Sequence, residues 1–507
     1  MPKELYQMIL SEKNIKLVFG LKLKQLRQEN KMSLSDLSNK STLSISYLNE
    51  IESGKKYPTT NKIALLANAL NVSYDKMVSL KLSKNMAPIG ELLESNILKE
   101  LPLDHYGIDV NKFLQLMSKA SLQLSALVST VIEMAKSSEL SQNNFSRIAI
   151  RTYKEFNDNY FEDLEESVEK FCGQSDYRFN LPIKYSFLMN ILKDKFQYEI
   201  DEKVISEYHE LCTVRGIVVF KNGSKKILIN SRLTDSQKAF IVGKEIAYNY
   251  LNISDRSFIY SDLKVDSFDQ LLNNVKASYF SSALIIKKND LINDLNKLFS
   301  KKVWDNNFII SLLIKYNASP DMLFQRITNL LSIVWNINSF FFFRFDTPLN
   351  SINYYLAKEL CLNARSIPGS NQNDENYCRR LVSIKLLEDF KKRQMKNKNN
   401  NSPLAGIHKS KFFNSGDEYL MISIAKNSTL FRETNYSVTL GLLLNEELIK
   451  KINFWNDPKI PKIIVNDTCE RCQISDCRER VESPKILESK TNIEKIERTL
   501  KKVVDEM

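Results

Sequence analysis

The sequence predicts a multidomain chain, mainly α with α+β. Three observations predict it. The chain has 507 residues, and at about 150 residues per domain that length implies roughly three domains. Residues 13–82 alternate short amphipathic stretches with polar turns, the signature of small packed helices. From about residue 185 strand-like and helical runs alternate, and cysteines cluster near the C-terminal end. The expected regions are a five-helix domain over 13–82, a helical connector over 83–184, an α+β domain over 185–346, and a cysteine-containing α+β region over 347–507.

Bulk composition narrows the class. Hydrophobic residues make up 43% and charged residues 26%, as in ordinary globular proteins. Only 12 Gly and 12 Pro occur, which excludes collagen-like and Gly-rich linker chains. Seven cysteines, an odd number unevenly spaced, argue against a secreted disulfide framework. The balance of 72 Lys+Arg against 60 Asp+Glu gives +12. That suits nucleic acid and equally suits a solvated lysine surface. The chain begins Met1-Pro2-Lys3-Glu4 with no apolar signal core. No stretch reaches the roughly 18 apolar residues of a membrane helix. The best, Leu331 to Phe345, is interrupted by Asn336, Asn338 and Ser339. The expectation is a cytoplasmic protein without a membrane partner. No repeat of solenoid period is visible.

In the first region Phe19, Leu23 and Leu26 form one stripe of a first helix. Ser33 precedes a short second helix, and Asp36 stands three residues on, a capping box with Asp in place of Glu. Ser44 caps a third helix, Ile45 to Glu52, with Leu48 and Ile51 facing inward. Gly54 ends it, and Lys55 and Lys56 follow. Asn61 to Leu70 is a fourth helix, and a fifth begins near Ser73. A short helix, a tight turn and another helix let the latter enter a major groove by its N-terminal end. Ile45, Ser46 and Asn49 lie outward there, beside Ser44 and Tyr47. Ser and Asn can bond base edges, and Ile can touch a thymine methyl. Lys55 and Lys56 suit phosphates. The competing reading is a helical bundle used only for protein contacts. The string SLSDLSNKSTLSISYLNEIESGKKYPT (33–59) resembles the Cro/repressor-type helix-turn-helix family. It departs from it at Leu34, where that family commonly has Gln, which shifts base reading toward the third helix.

In the connector, Val110 to Ala135 is rich in Leu, Met, Ala and Val. It suits a dimer interface or packing within its own chain, and paired half-sites make a homodimer the default.

In the third region a strand, Ile227 to Asn230, leads into a helix, Asp235 to Leu251, with Phe240, Ile241, Glu245 and Tyr248 at helical spacing. This helix and Ala277 to Ile286 resemble the ImmA/IrrE-type metallopeptidase family, which implies a zincin-like fold. There H-E-x-x-H binds zinc through two His and uses Glu as base. Here the string is Lys244-Glu245-Ile246-Ala247-Tyr248, and the next helix offers Asn273, Asn274 and Lys276. The domain is expected to be degenerate and not an enzyme, with Glu245 structural or solvated. Phe340 to Phe343 fit a strand buried on both faces better than an apolar ligand wall.

In the last region Lys391 to Ser402 is basic, Asn-rich and, apart from Met395, devoid of apolar residues. It is expected to be a solvated loop. Cys469, Cys472 and Cys477 form C-x2-C-x4-C. Thiolates at this spacing suit zinc or an iron–sulfur cluster. Both sites normally take four ligands, so Cys378 is the candidate fourth and Cys361 the runner-up. Cys172 and Cys212 are expected to be buried hydrophobes. A terminal helix, Asn492 to Val504, carries Ile493, Ile496, Leu500 and Val503 on one face.

From Val18 to Pro484 the order of parts resembles the short-chain fatty acyl-CoA regulator family of bacterial transcription factors. That resemblance implies a DNA-binding regulator, a small-molecule effector that is acyl-CoA-like, and an iron–sulfur cluster in some members. The alternatives are an ImmA/IrrE-type peptidase cleaving a repressor, disfavoured by its missing ligands, and a regulator acting through protein contacts.

Overall fold

The computed structural model describes residues 12–79, 142–174, 177–221, 223–260, 267–362, 375–397, 400–431 and 433–505. The chain divides into two compact units, residues 1–150 with 264–271, and residues 151–263 with 272–507.

In the first unit the described N-terminal helices are α1 (Glu12–Glu29), α2 (Leu34–Ser41), α3 (Ile45–Glu52), α4 (Thr60–Ala69) and α5 (Tyr74–Val78), as the amphipathic stretches predict. The Ser33 hydroxyl accepts from the Asp36 N–H at 3.1 Å, and the Asp36 carboxylate accepts from the Ser33 N–H at 2.8 Å. Ser44 and Ser73 cap α3 and α5 through their hydroxyls. Phe19, Leu23, Leu37, Leu48, Ile51 and Leu66 close the core. Gly20 is required by a close approach: a Cβ there would lie 2.2 Å from the Ile51 carbonyl oxygen, so α1 and α3 touch backbone to backbone. Val110 to Ala135 lies outside the described residues.

The second unit starts with the tail of α6 (Gln142–Phe156), then α7 (Glu162–Gly173) and α8 (Tyr185–Phe196). A four-stranded sheet has the order β1-β3-β2-β4, from β1 (Tyr198–Asp201), β2 (Gly216–Lys221), β3 (Ser224–Ile229) and β4 (Ile259–Tyr260). β1 runs parallel to β3, and the other pairs are antiparallel. α9 (Asp235–Tyr250) follows β3 as the sequence predicts, and Thr234 with Gln237 caps it reciprocally. α10 (Phe268–Ile285), α11 (Lys288–Phe299), α12 (Asn306–Lys315) and α13 (Pro320–Trp335) lead to a six-stranded sheet.

That sheet has the order β10-β7-β8-β9-β5-β6. Its strands are β5 (Phe340–Pro348), β6 (Tyr355–Leu362), β7 (Leu404–Phe412), β8 (Glu418–Asn427), β9 (Thr434–Leu443) and β10 (Lys462–Val465). β10 joins β7 in parallel, and the other pairs are antiparallel. Both faces of β5 are covered. Phe340 and Phe342 belong to the larger core, which also holds Leu330 and Leu331 of α13. Phe341, Phe343 and Phe345 belong to a second core with Leu387 and Phe390 of α14 (Val382–Lys396). Gly441 on β9 faces Phe341, whose ring would lie 2.1 Å from a Cβ there. The boundary expected at 346/347 falls inside β5, and the larger core takes residues from Tyr160 to Ile460. The α+β parts therefore share their packing.

Two expectations are corrected. Lys391 to Lys396 is not loop but the last turn and a half of α14. Helix formed by the apolar stripe Val382–Phe390 propagates through Lys, Arg, Gln and Met, all good helix formers. Lys391 also anchors there, its ammonium donating to Thr347 Oγ1 at 3.0 Å and the Ser351 carbonyl at 2.7 Å. Cys172 and Cys212 are half-buried rather than buried, because each sits where its helical turn runs out into a loop. The terminal helix α15 spans Lys485–Asp505, and Ile493 and Ile496 stand exposed on it. Among the described residues no helix is long and apolar enough to cross a membrane.

Candidate nucleic-acid interface and cysteine cavity

α3 presents its N-terminal half to solvent. Ile45 is 49% exposed, and Ser46 and Asn49 are exposed beside it. The Ser44 hydroxyl accepts the Tyr47 N–H at 3.3 Å, so Ser44 fixes the start of the helix. Tyr47 is half-buried, with the Lys62 ammonium 4.1 Å and the Lys56 ammonium 5.8 Å from its ring centroid. Lys55 is exposed. Lys56 is ion-paired to Glu50 at 2.7 Å, so the two basic residues after the helix are not equivalent.

The far end of α3 is held by a pair that spacing did not reveal. Arg27 on α1 donates to both carboxylate oxygens of Glu52, at 2.6 and 2.9 Å, and to the Met32 carbonyl at 2.8 Å. Both side chains are buried. Such a bidentate pair fixes orientation as well as distance.

All four expected metal-ligating residues, Cys378, Cys469, Cys472 and Cys477, line one cavity of about 10 Å³, the room of about one water molecule. A β-bridge between Tyr377 and Thr468 brings the two segments together. The Cys378 N–H donates to the Asp467 carbonyl at 3.0 Å, and the Cys469 N–H to the Asn376 carbonyl at 2.8 Å. Buried Glu470 accepts from the Asn376 N–H and side-chain amide at 3.0 Å. Arg480 clamps the turn, donating to the carbonyls of Cys469 (3.0 Å), Cys472 (3.1 Å) and Ile474 (2.5 Å). Sequence reasoning missed Arg480, although it lies three residues past Cys477. Burial pushes the Cys378 thiol up to about 11. Cys361 is elsewhere, on β6, donating to Glu359 at 3.4 Å. The donor set is all sulfur, the kind zinc and iron–sulfur clusters take. Yet among the described residues no group of three or more His, Cys, Asp or Glu converges closely enough to hold a metal ion.

Residues 23–77 match the family model described as Helix-turn-helix. The N-terminal domain is thus a DNA-binding helix-turn-helix domain of the kind transcriptional regulators carry. No curated protein sequence matches the chain. Among solved structures it is similar to a Mycobacterium tuberculosis transcriptional regulator, at 14% identity and a TM-score of 0.45, over 67% of this chain and 93% of that one.

The helix that carries Lys244, Glu245 and Tyr248 has its own buried network. Glu245 is fully buried and bidentate to Arg256, with both distances 2.6 Å. It also accepts from the hydroxyls of Tyr198 (2.6 Å) and Tyr260 (2.5 Å) and from Asn249 (3.3 Å). Both of its oxygens are occupied. Lys244 and Tyr248 both donate to the Asn274 side-chain oxygen, Tyr248 at 3.5 Å. Burial first, then Arg215, push the Lys244 ammonium down to about 7. Lys244, Tyr248 and Asn274 therefore meet, and they bring an amine, a phenol and an amide.

Proposed function

We propose that the chain is a sequence-specific transcriptional regulator that binds double-stranded DNA as a homodimer. Its C-terminal regions put that binding under an acyl-CoA-like metabolite or a redox signal. The observation that carries the reading is the exposed face of α3, with Ile45, Ser46 and Asn49 outward on a helix capped at one end by Ser44 and tied at the other by Glu52. The test is selection of duplex sites from a random pool by the full chain. A Ser46→Ala/Asn49→Ala protein that selects the same sites as the parent sinks α3 as the reading helix. Sedimentation with and without the selected duplex reads the dimer.

Control by a metal or cluster is supported by four thiols around one cavity, with Arg379, Arg380 and Arg480 in its wall. Burial favours the neutral Cys378 thiol, and a bound metal would draw out the thiolate. Cys378, Cys469, Cys472 and Cys477 are the residues that would hold it. A cluster would supply redox sensitivity, and zinc would supply only a structural fastening. Iron, zinc and acid-labile sulfide measured after anaerobic purification, with Cys469→Ser as control, decide between these. Absence of all three removes the metal from the reading.

A peptidase reading is disfavoured, and so the protein is read as no enzyme. Glu245 has no oxygen to spare for a water, and a lysine ammonium repels zinc. Zinc-dependent cleavage of a repressor, lost in Glu245→Gln, would restore it.

A further inference from the structure

A separate groove shares no lining residue with the cysteine cavity or with the Glu245 network. It has a volume of about 360 Å³, within the range of small-molecule sites. Leu386 of α14, Ile407 of β7, Ile460 and the Trp304 indole give it apolar walls. His408 of β7 brings to its walls a buried polar atom, Nδ1, that lacks a hydrogen-bond partner among the described residues. Leaving such an atom unpaired carries a desolvation cost. A ligand that bonds it recovers that cost.

Charge selects the ligand class. Of the two acids at the groove, one is bonded within the fold and the other stands exposed beside a lysine. Asp457 accepts the backbone N–H groups of Trp304 and Lys459, each at 2.9 Å. Asp389 lies 3.7 Å from the Lys392 ammonium. Of the cations, Lys385 sits 2.9 Å from Glu479, while Lys459 stands exposed at the rim. Burial and the neighbouring Lys385 hold the His408 imidazole below its usual pKa, so it is neutral near pH 7 and can donate or accept. What remains on offer is an imidazole inside, an ammonium at the rim and a flat apolar wall.

We propose that this groove binds a compact organic carboxylate, its apolar body against Trp304 and Leu386, with His408 and Lys459 as its polar partners. Occupancy has a route to the cysteine cavity, because Glu479, the partner of Lys385, lines that cavity. This consequence rests on the regulator reading, whereas binding itself does not.

The test titrates the full chain with 2-naphthoate, and with 2-naphthalenemethanol as the uncharged isostere, by calorimetry without DNA. The expected result is saturable binding of the carboxylate, at least tenfold tighter than the alcohol. Lys459→Glu, an exposed change that spares the fold, weakens it tenfold or more. Lys459→Arg retains it, and His408→Phe weakens it. No saturable binding, or binding unmoved by both Lys459→Glu and His408→Phe, overturns the site. Failure of DNA binding in a separate assay would sink the regulator reading and leave this result untouched.

Discussion

Arg27 and Glu52 form a buried bidentate pair that joins α1 to the last residue of α3, with N···O distances of 2.6 and 2.9 Å. α3 is only eight residues long, too short to hold its own direction in water. Its aim therefore depends on this tie and on the backbone approach at Gly20. Arg27→Met leaves Glu52 charged and unpaired in the core, and should destabilise the first unit by about 3–5 kcal/mol. Arg27→Met/Glu52→Leu should recover most of that loss. Hydrogen exchange of the α3 amides in the full chain reads both. Equal protection in parent and Arg27→Met would show that the pair does not hold the helix.

Lys55 and Lys56 differ in what they can give a phosphate. Lys55 is exposed, whereas Lys56 already faces Glu50 at 2.7 Å. Each phosphate neutralised adds about 0.9 to the slope of log affinity against log salt. Lys55→Gln should reduce that slope by about 0.9 per protomer. Lys56→Gln should reduce it less, and Glu50→Gln should steepen it by releasing Lys56. Salt titrations on one duplex check all three. Identical slopes for the two lysine variants would refute the distinction.

Local signals carried the sequence reading, and distant pairings escaped it. Ser33 with Asp36, and Ser44 before Ile45, were legible because a cap lies within three residues of what it caps. Phe340–Phe343 read as a doubly buried strand because apolar residues at consecutive positions must point to both faces. Arg256, Tyr198 and Tyr260 gave no signal of their meeting at Glu245, since side chains from three separate elements share no spacing. The end expected after Asp346 had a similar cause. Arg344 and Asp346 pair with each other at 2.7 Å, and β5 continues past the expected domain boundary to Pro348. Cys378 was chosen over Cys361 on sequence, and the Tyr377–Thr468 bridge places it at the cavity.

Lys244 gives the second unit a pH dependence of known sign. Unfolded, this lysine keeps its proton to about pH 10.4. Folded, burial lowers it to about 7. Between those values the unfolded state binds more protons, so this residue makes stability rise with pH, by up to about 1.4 kcal/mol per unit. Below pH 7 both states are protonated, and the cost of burying the charge is present in full. Lys244→Met should therefore be more stable than the parent at pH 6, with the difference closing toward pH 10. Urea unfolding at several pH values measures it. A difference constant across that range would mean that Lys244 titrates normally.

Arg480 serves three carbonyls of the turn at once, those of Cys469, Cys472 and Ile474, and a fourth, that of Glu482, at 3.4 Å. A planar guanidinium can do this, and an ammonium in the same place cannot reach all three in line. Arg480→Lys should loosen the turn while leaving the sheet intact. Cys469 and Cys472, each 6% exposed, should then react faster with a thiol reagent. Loss of one or two hydrogen bonds of about 1 kcal/mol each predicts a rise of about tenfold in the opened fraction. Labelling of metal-free protein, with site occupancy read by mass spectrometry, makes the comparison. If Arg480→Lys labels at the parent's rate, the turn is held by Glu470 and the Tyr377–Thr468 bridge, and Arg480 is dispensable to the cavity.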